Sequence, residues 1–324
     1  MAESLAHYRL LEQIGTGGLG DVYRARDTKV GRTVAVKVVP SSIADDAALR
    51  ARLVGDAQRA AGVSHPNVAT LFEVVEDQGG LSLAIEYVPG ETLRQAIGGR
   101  PLNARRAVEI ATQIADALAE AHAVGVRHLD LSPDTIVLTP KGTAKLLDLG
   151  LSAWTKGGRA RREAAARLAK GESIDLASAP YLSPEQALGE DVDERSDLFS
   201  LGVVLFEMLT GKIPFGGATP GEQAIGVMQA DAPAPSQLNP AVPRELDTIV
   251  SKALAKGLDG RCESAAELAA ELRAVSAILD VRASESAVPP ARVHVGRRRS
   301  PWPSLLGALM LFAVVVWLWW RMGH

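Results

Sequence analysis

One cysteine, Cys262, stands in 324 residues. That excludes an intramolecular disulfide and fits a reducing compartment. An excess of positive charge is also missing. The 35 Lys and Arg against 38 Asp and Glu leave a formal net charge of −3, with a pI near 6.1. Nothing in that balance points to nucleic acid, and no nucleic-acid partner is expected. Met1-Ala2-Glu3-Ser4 has neither the basic start nor the apolar run of a signal peptide, so export by that route is not expected. The length itself suffices for about two domains with an ample core.

The densest chemistry lies in residues 126–150, VRHLDLSPDTIVLTPKGTAKLLDLG. Asp130 and Asp148 each sit at a sharp break in an otherwise apolar run. Between them Ile136-Val137-Leu138 and Ala144-Lys145-Leu146-Leu147 read as two short strands joined by the turn Thr139-Pro140-Lys141-Gly142. A hairpin with one carboxylate before it and one after it can aim both at the same point. Carboxylates suit a hard cation such as Mg²⁺, and one of them can also accept a hydroxyl proton. The plainer reading of Asp130 is a loop cap that bonds only the local backbone.

Near the N-terminus, strand-like Tyr8–Gln13 leads into Ile14-Gly15-Thr16-Gly17-Gly18-Leu19-Gly20-Asp21-Val22. A lone G-x-G-x-x-G is weak, and in dinucleotide folds a helix follows the glycines. Here residues 22–26 and 32–39 read as two more strands, the last carrying Val34-Ala35-Val36-Lys37. Lys37 is therefore either a phosphate ligand or one solvated lysine on an edge strand.

Taken together these stretches resemble the protein kinases, and among them the eukaryotic-like Ser/Thr kinases of bacteria. His128-Leu129-Asp130 stands against H-R-D, Asp148-Leu149-Gly150 against D-F-G, and Val34-Ala35-Val36-Lys37 against V-A-I-K. Glu86-Tyr87-Val88-Pro89-Gly90 resembles the hinge, and residues 178–185 resemble T-x-x-Y-x-[AS]-P-E. The resemblance implies ATP and Mg²⁺ as cofactors. Ile14, Gly15, Gly17, Gly20, Val22, Ala35 and Lys37 would enclose the nucleotide, with the backbone of Glu86 and Val88 on the adenine and Ile85 behind it. Asp130 would be the catalytic base, Asp148 and Thr135 the metal ligands, and Asp56 the acid paired with Lys37. Aligned on Ser64-His65-Pro66-Asn67, Asp56 fills the family's Glu slot one methylene short, and the alternative for it is an ordinary surface carboxylate. Asp197 would anchor the catalytic loop, Arg261 would pair with Glu185, and Cys262 would be a small buried residue.

Several positions depart from the family. Leu129 replaces the Arg, Ser132 the Lys that neutralises the γ-phosphate, and Thr135 the Asn that holds the second metal. Two functions follow: a slow or conditional Ser/Thr protein kinase, or a membrane-tethered pseudokinase scaffold. Between Lys156 and Lys170 the bases Lys156, Arg159, Arg161, Arg162, Arg167 and Lys170 face one acid, Glu163. This reads as an activation segment drawn to an acidic partner or anionic membrane rather than switched by phosphate at Thr155 or Ser173.

The expected architecture is α+β and bilobal. A small antiparallel β lobe with one helix covers about 8–88, and a mainly helical lobe about 89–275. Residues 276–303 would form a juxtamembrane linker and 304–321 a transmembrane helix. The last rests on sixteen apolar or small residues from Leu305 to Trp320, flanked by Trp302 and by Arg297-Arg298-Arg299. It implies a single-pass inner-membrane protein with a cytoplasmic kinase region and a protein substrate or partner. Dimerisation is not readable.

Overall fold

A computed structural model describes residues 4–17, 19–77, 79–155, 179–217, 220–287 and 302–323. Alternating patterns in the first 90 residues build a six-stranded antiparallel sheet. Its strands are β1 (Ser4–Leu5), β2 (Tyr8–Gly17), β3 (Gly20–Asp27), β4 (Thr33–Val38), β5 (Leu71–Asp77) and β6 (Gly80–Glu86). They lie in the order β1-β2-β3-β4-β6-β5. Two helices interrupt them, α1 (Ser41–Ala44) and α2 (Ala47–Ala61). The Asp46 carboxylate accepts from the Ala48 and Leu49 amides and so fixes where α2 starts.

The period of two sorts β4 by face. Val34 and Val36 are fully buried with Tyr8, Ala25 and Ala84 on one side. Ala35 and Lys37 take the other side, directly across from Ile85 and Leu83 of β6. Val22 of β3 lies across from Lys37 and shares that face. On it α2 packs, burying Leu53 and Ala57 with Leu71, Leu81 and Leu83.

The larger half is helical around a short sheet β7 (Glu91–Thr92), β8 (Ile136–Leu138) and β9 (Ala144–Leu146). Its helices are α3 (Leu93–Ile97), α4 (Ala104–Ala123), α5 (Pro184–Leu188), α6 (Arg195–Thr210), α7 (Pro220–Gln229), α8 (Pro235–Leu238), α9 (Arg244–Ala253) and α10 (Ala265–Ala287). Helix α4 buries Ala107, Ile110, Ile114, Leu118 and Ala121 at the expected three- and four-residue spacing. It ends before Gly125, whose φ of 73° lies in the left-handed region. Helix α6 is buried from Ser196 to Thr210. At Gly202 a Cβ would come within 2.8 Å of the Ala253 Cβ, so glycine allows α6 and α9 their close crossing.

Main-chain bonds stitch the two halves just after α2. Val68 forms a parallel bridge with Leu146. The Ala69 amide donates to Leu146 O at 2.9 Å, and the Leu146 amide to Asn67 O at 2.8 Å. Asn67 Nδ2 adds bonds to Ala144 O (2.7 Å) and Gln113 Oε1 (2.8 Å).

Two expectations change at the C-terminal end. Residues 276–287, read as linker, continue α10. The apolar stripe does not stop at Val275: Leu268 and Leu272 are buried and Leu279 still packs on the same core. The apolar run beyond forms α11 (Trp302–Met322), but among the described residues no helix is long and apolar enough to cross a membrane. The expected transmembrane helix is corrected accordingly. Residues 1–280 and 281–324 are separate compact units.

Candidate active site

The loop between β2 and β3 is closed by pairing of Gly17 with Gly20, while Gly18 lies outside the described residues. Gly20 is required by the chain itself: its φ is 98° and a Cβ would sit 2.1 Å from Val38 O. Gly15 is different. No atom lies within 4 Å of a Cβ placed there, so the polypeptide alone does not demand glycine. Gly15 is exposed, and its backbone faces open space. Beneath it the sheet presents Val22, Ala35 and Lys37 on one face.

At the other edge, Glu86 is held at one carboxylate oxygen by two donors. Lys145 Nζ donates to its carboxylate at 2.8 Å and the Thr70 amide at 3.3 Å. Sequence reasoning missed Lys145, because only the fold brings β9 beside the end of β6. Val88 is half-buried and packs on the cluster under α2.

Asp197 organises the catalytic loop. Fully buried on α6, its carboxylate accepts from the His128 amide (2.8 Å), the Leu129 amide (2.6 Å) and His122 Nε2 (2.9 Å). Burial pushes its carboxyl up, but these donors and the two histidines outweigh burial and hold it below the usual range. The two amide bonds fix Leu129 at φ 57°, a conformation that leucine otherwise avoids. His128 then spans the site. Its Nδ1 accepts from the Asp130 amide (3.2 Å), so Nε2 carries the proton and donates to Leu147 O (2.8 Å). One buried ring thus sets Asp130 against the residue that precedes Asp148.

Thr135 stands differently from the expectation. Its hydroxyl donates to Ser132 O at 2.9 Å and accepts from the Ser132 amide at 3.1 Å. The proton and one lone pair are engaged in a local turn, which leaves it a poor metal ligand. Among the described residues no group of three or more His, Cys, Asp or Glu is placed to hold a metal ion.

Lys37 and Asp148 meet: Nζ is bonded to Oδ1. The expected pair between Lys37 and Asp56 is not formed. Asp56 instead accepts from Trp154 Nε1 at 2.8 Å and from Arg59 Nη2 at 2.5 Å. The shorter Asp side chain leaves the lysine to the nearer carboxylate, and a buried indole takes Asp56. Trp154 carried no signal in the sequence, since nothing in its spacing links it to α2. Thr155 is buried and its hydroxyl donates to Ser152 O at 2.8 Å. The basic run 156–170, Ser173 and Ser178 lie outside the described residues.

Below the segment's return, Arg261 grips Glu185 with two bonds, 2.8 and 3.1 Å, and Ser196 Oγ donates to the same carboxylate at 2.6 Å. Burial pushes the Glu185 carboxyl up, yet the guanidinium and hydroxyl prevail and hold it at about 2. Cys262 beside Arg261 is buried, which pushes its thiol up to about 11.

A β lobe and a helical lobe with a lysine from one meeting an aspartate from the other define a protein-kinase fold. The Protein kinase domain family matches residues 8–271, and the chain belongs to that family, among the eukaryotic-like Ser/Thr kinases of bacteria. It is 38% identical over 270 residues to serine/threonine-protein kinase PknB of Mycolicibacterium smegmatis, covering 82% of this chain and 42% of that one. It is 35% identical over 267 residues to serine/threonine-protein kinase PrkC of Bacillus subtilis, covering 82% and 40%. The chain thus spans about two fifths of the length of these relatives. The crystal structure of the Mycobacterium tuberculosis PknI kinase domain superposes with a TM-score of 0.65 at 25% identity, covering 85% of this chain and 98% of that one.

Proposed function

We propose that this chain transfers the terminal phosphoryl group of ATP to serine or threonine hydroxyls of proteins, at a reduced rate. The observation that carries the reading is the meeting of Lys37 with Asp148 beneath a loop whose Gly15 faces open space. Lys37 holds phosphate oxygens, and Asp130 accepts the hydroxyl proton of the protein substrate. Mg²⁺, when bound, supplies positive charge at the phosphates, and Asp148 is the side chain that would hold it. Glu86 and Val88 seat the adenine, with Glu86 kept in place by Lys145. We assign the catalytic unit to residues 8–275.

The reduced rate follows from Ser132 and Thr135. Losing one cation near the transferred group in a water-poor site costs a few kcal/mol, or roughly two to three decades in rate. The named Ser/Thr kinases among the relatives favour activity over a pure scaffold.

ATP with Mg²⁺ should raise the melting temperature of the chain, and Lys37→Met should abolish that rise. Labelled ATP and a generic protein substrate should give phosphoserine or phosphothreonine in wild type and none in Asp130→Asn. A wild type that shows no nucleotide shift and no label transfer would end this reading.

A further inference from the structure

Arg94 is held by more partners than the proposed reaction accounts for. Helix α3 begins just after Thr92, which forms a reciprocal cap with Gln95, and Leu93 and Ile97 bury its inner face. The Arg94 amide donates to Pro133 O at 3.1 Å, three residues past Asp130. The side chain then reaches the same loop: Nε and Nη2 donate to Asp134 Oδ2 at 3.3 and 3.1 Å. Nη1 donates to Glu207 Oε1 of α6 at 2.7 Å, and Nη2 to the Tyr181 hydroxyl at 2.7 Å. Tyr181 passes that bond on, donating to Glu207 Oε2 at 2.6 Å. Burial and the Glu207 carboxylate push the tyrosine hydroxyl up, so it stays a donor. One guanidinium thus sits where the catalytic loop, the segment before α5 and α6 meet. The two acids around it differ in setting. Glu207 is 9% exposed and requires a cation beside it, whereas Asp134 is 61% and Arg94 39% exposed. Solvent, and any protein segment laid along the loop of Asp130, reaches the outer half of this group.

From this geometry we infer that Arg94 is a specificity-determining residue: it fills from within a place between Asp134 and Glu207 that a basic side chain of a protein substrate would otherwise take. A substrate carrying arginine or lysine there meets a guanidinium instead of two acids. It loses the ion pair and faces like charge. The chain therefore selects hydroxyls whose neighbour at that position is neutral or acidic. The inference rests on the kinase reading, and its first test does not depend on phosphoryl transfer.

Arg94→Ala deletes everything past Cβ, and ethylguanidinium supplies the missing atoms as a free cation. At about 50 mM it should raise the melting temperature of the full-chain variant by about 2 °C and leave that of wild type unchanged or lower. Adding Asp134→Asn should remove most of the rise. The second test reads selection. Serine peptides with one arginine, scanned through the positions around the serine, are compared as kcat/KM with an alanine parent. At one position Arg94→Ala should gain about tenfold from the arginine where wild type gains nothing. Arg94→Gln, which keeps an amide donor for Glu207, should change in the same direction, so an unstable alanine variant does not decide the outcome. Stabilisation of both chains by ethylguanidinium, or of neither, would overturn the inference. So would an arginine profile shared by wild type and both variants. Stabilisation of Arg94→Ala alone, with no peptide labelled by any chain, would support the cation subsite and end the kinase reading.

Discussion

Ser132 and Thr135 bond to each other in a closed turn, so the two departures from the family form one local unit. Ser132 enters the turn through its main chain, so a lysine there leaves both bonds in place. Ser132→Lys with Thr135→Asn returns both the cation and an amide ligand, and an Asn side chain can still accept from the residue 132 amide. The double variant should phosphorylate at least about tenfold faster than wild type, measured as kcat with labelled ATP. An unchanged rate would move the defect to the Asp56 and Trp154 pairing. Leu129 shows the same logic from the other side: its strained backbone is secured by Asp197, a bond that makes no use of its side chain. That is why leucine is tolerated where the family has arginine.

Among the elements, α10 separates what patterning reveals from what it hides. Its apolar spacing from Leu268 through Leu272 and Val275 continues to Leu279, and the helix ends twelve residues past the boundary drawn at 275. A chain ended at 275 should therefore melt a few degrees below one ended at 287, because Leu279 no longer covers the core and the last turns of α10 fray. Equal melting temperatures would show that residues 276–287 add nothing to the fold. Most of the fold was legible because its signals are local: the β2–β3 glycines, the α4 periodicity, the near-uniform apolarity of α6. Asp130, Asp148, Asp197 and the Glu185–Arg261 pair were legible through a family pattern carried by fixed spacing. Trp154, Lys145 and His122 were not. Each acts on a partner distant in sequence, across elements whose approach no run of neighbouring residues encodes. The short reach of Asp56 was visible, but not which donor would take it.

For the molecule as a whole, acid resistance draws on buried carboxylates held below their ordinary range, Asp197 and Glu185 among them. The Glu185 value of about 2 lies below its ordinary 4.5. Ionised Glu185 therefore stabilises the fold above pH 4.5, and that contribution, about 3 kcal/mol, is lost as pH falls from about 4.5 to about 2. Melting temperature followed against pH should drop through this window in wild type and more gently in Glu185→Gln. Arg261→Met should instead lower stability at neutral pH by about 3–5 kcal/mol, since it strands the charge. A Glu185→Gln profile parallel to wild type would rule the group out as the source. The stitch at Val68 and Leu146 bears on motion rather than stability. Main-chain bonds there join the end of α2's connection to the strand that delivers Asp148. A rotation of the β lobe over the helical lobe has its smallest displacement at that seam and its largest at the glycine loop. The strand leading to Asp148 lies at that pivot, so a cleft that opened would carry the glycines away from Asp148 without tearing either sheet.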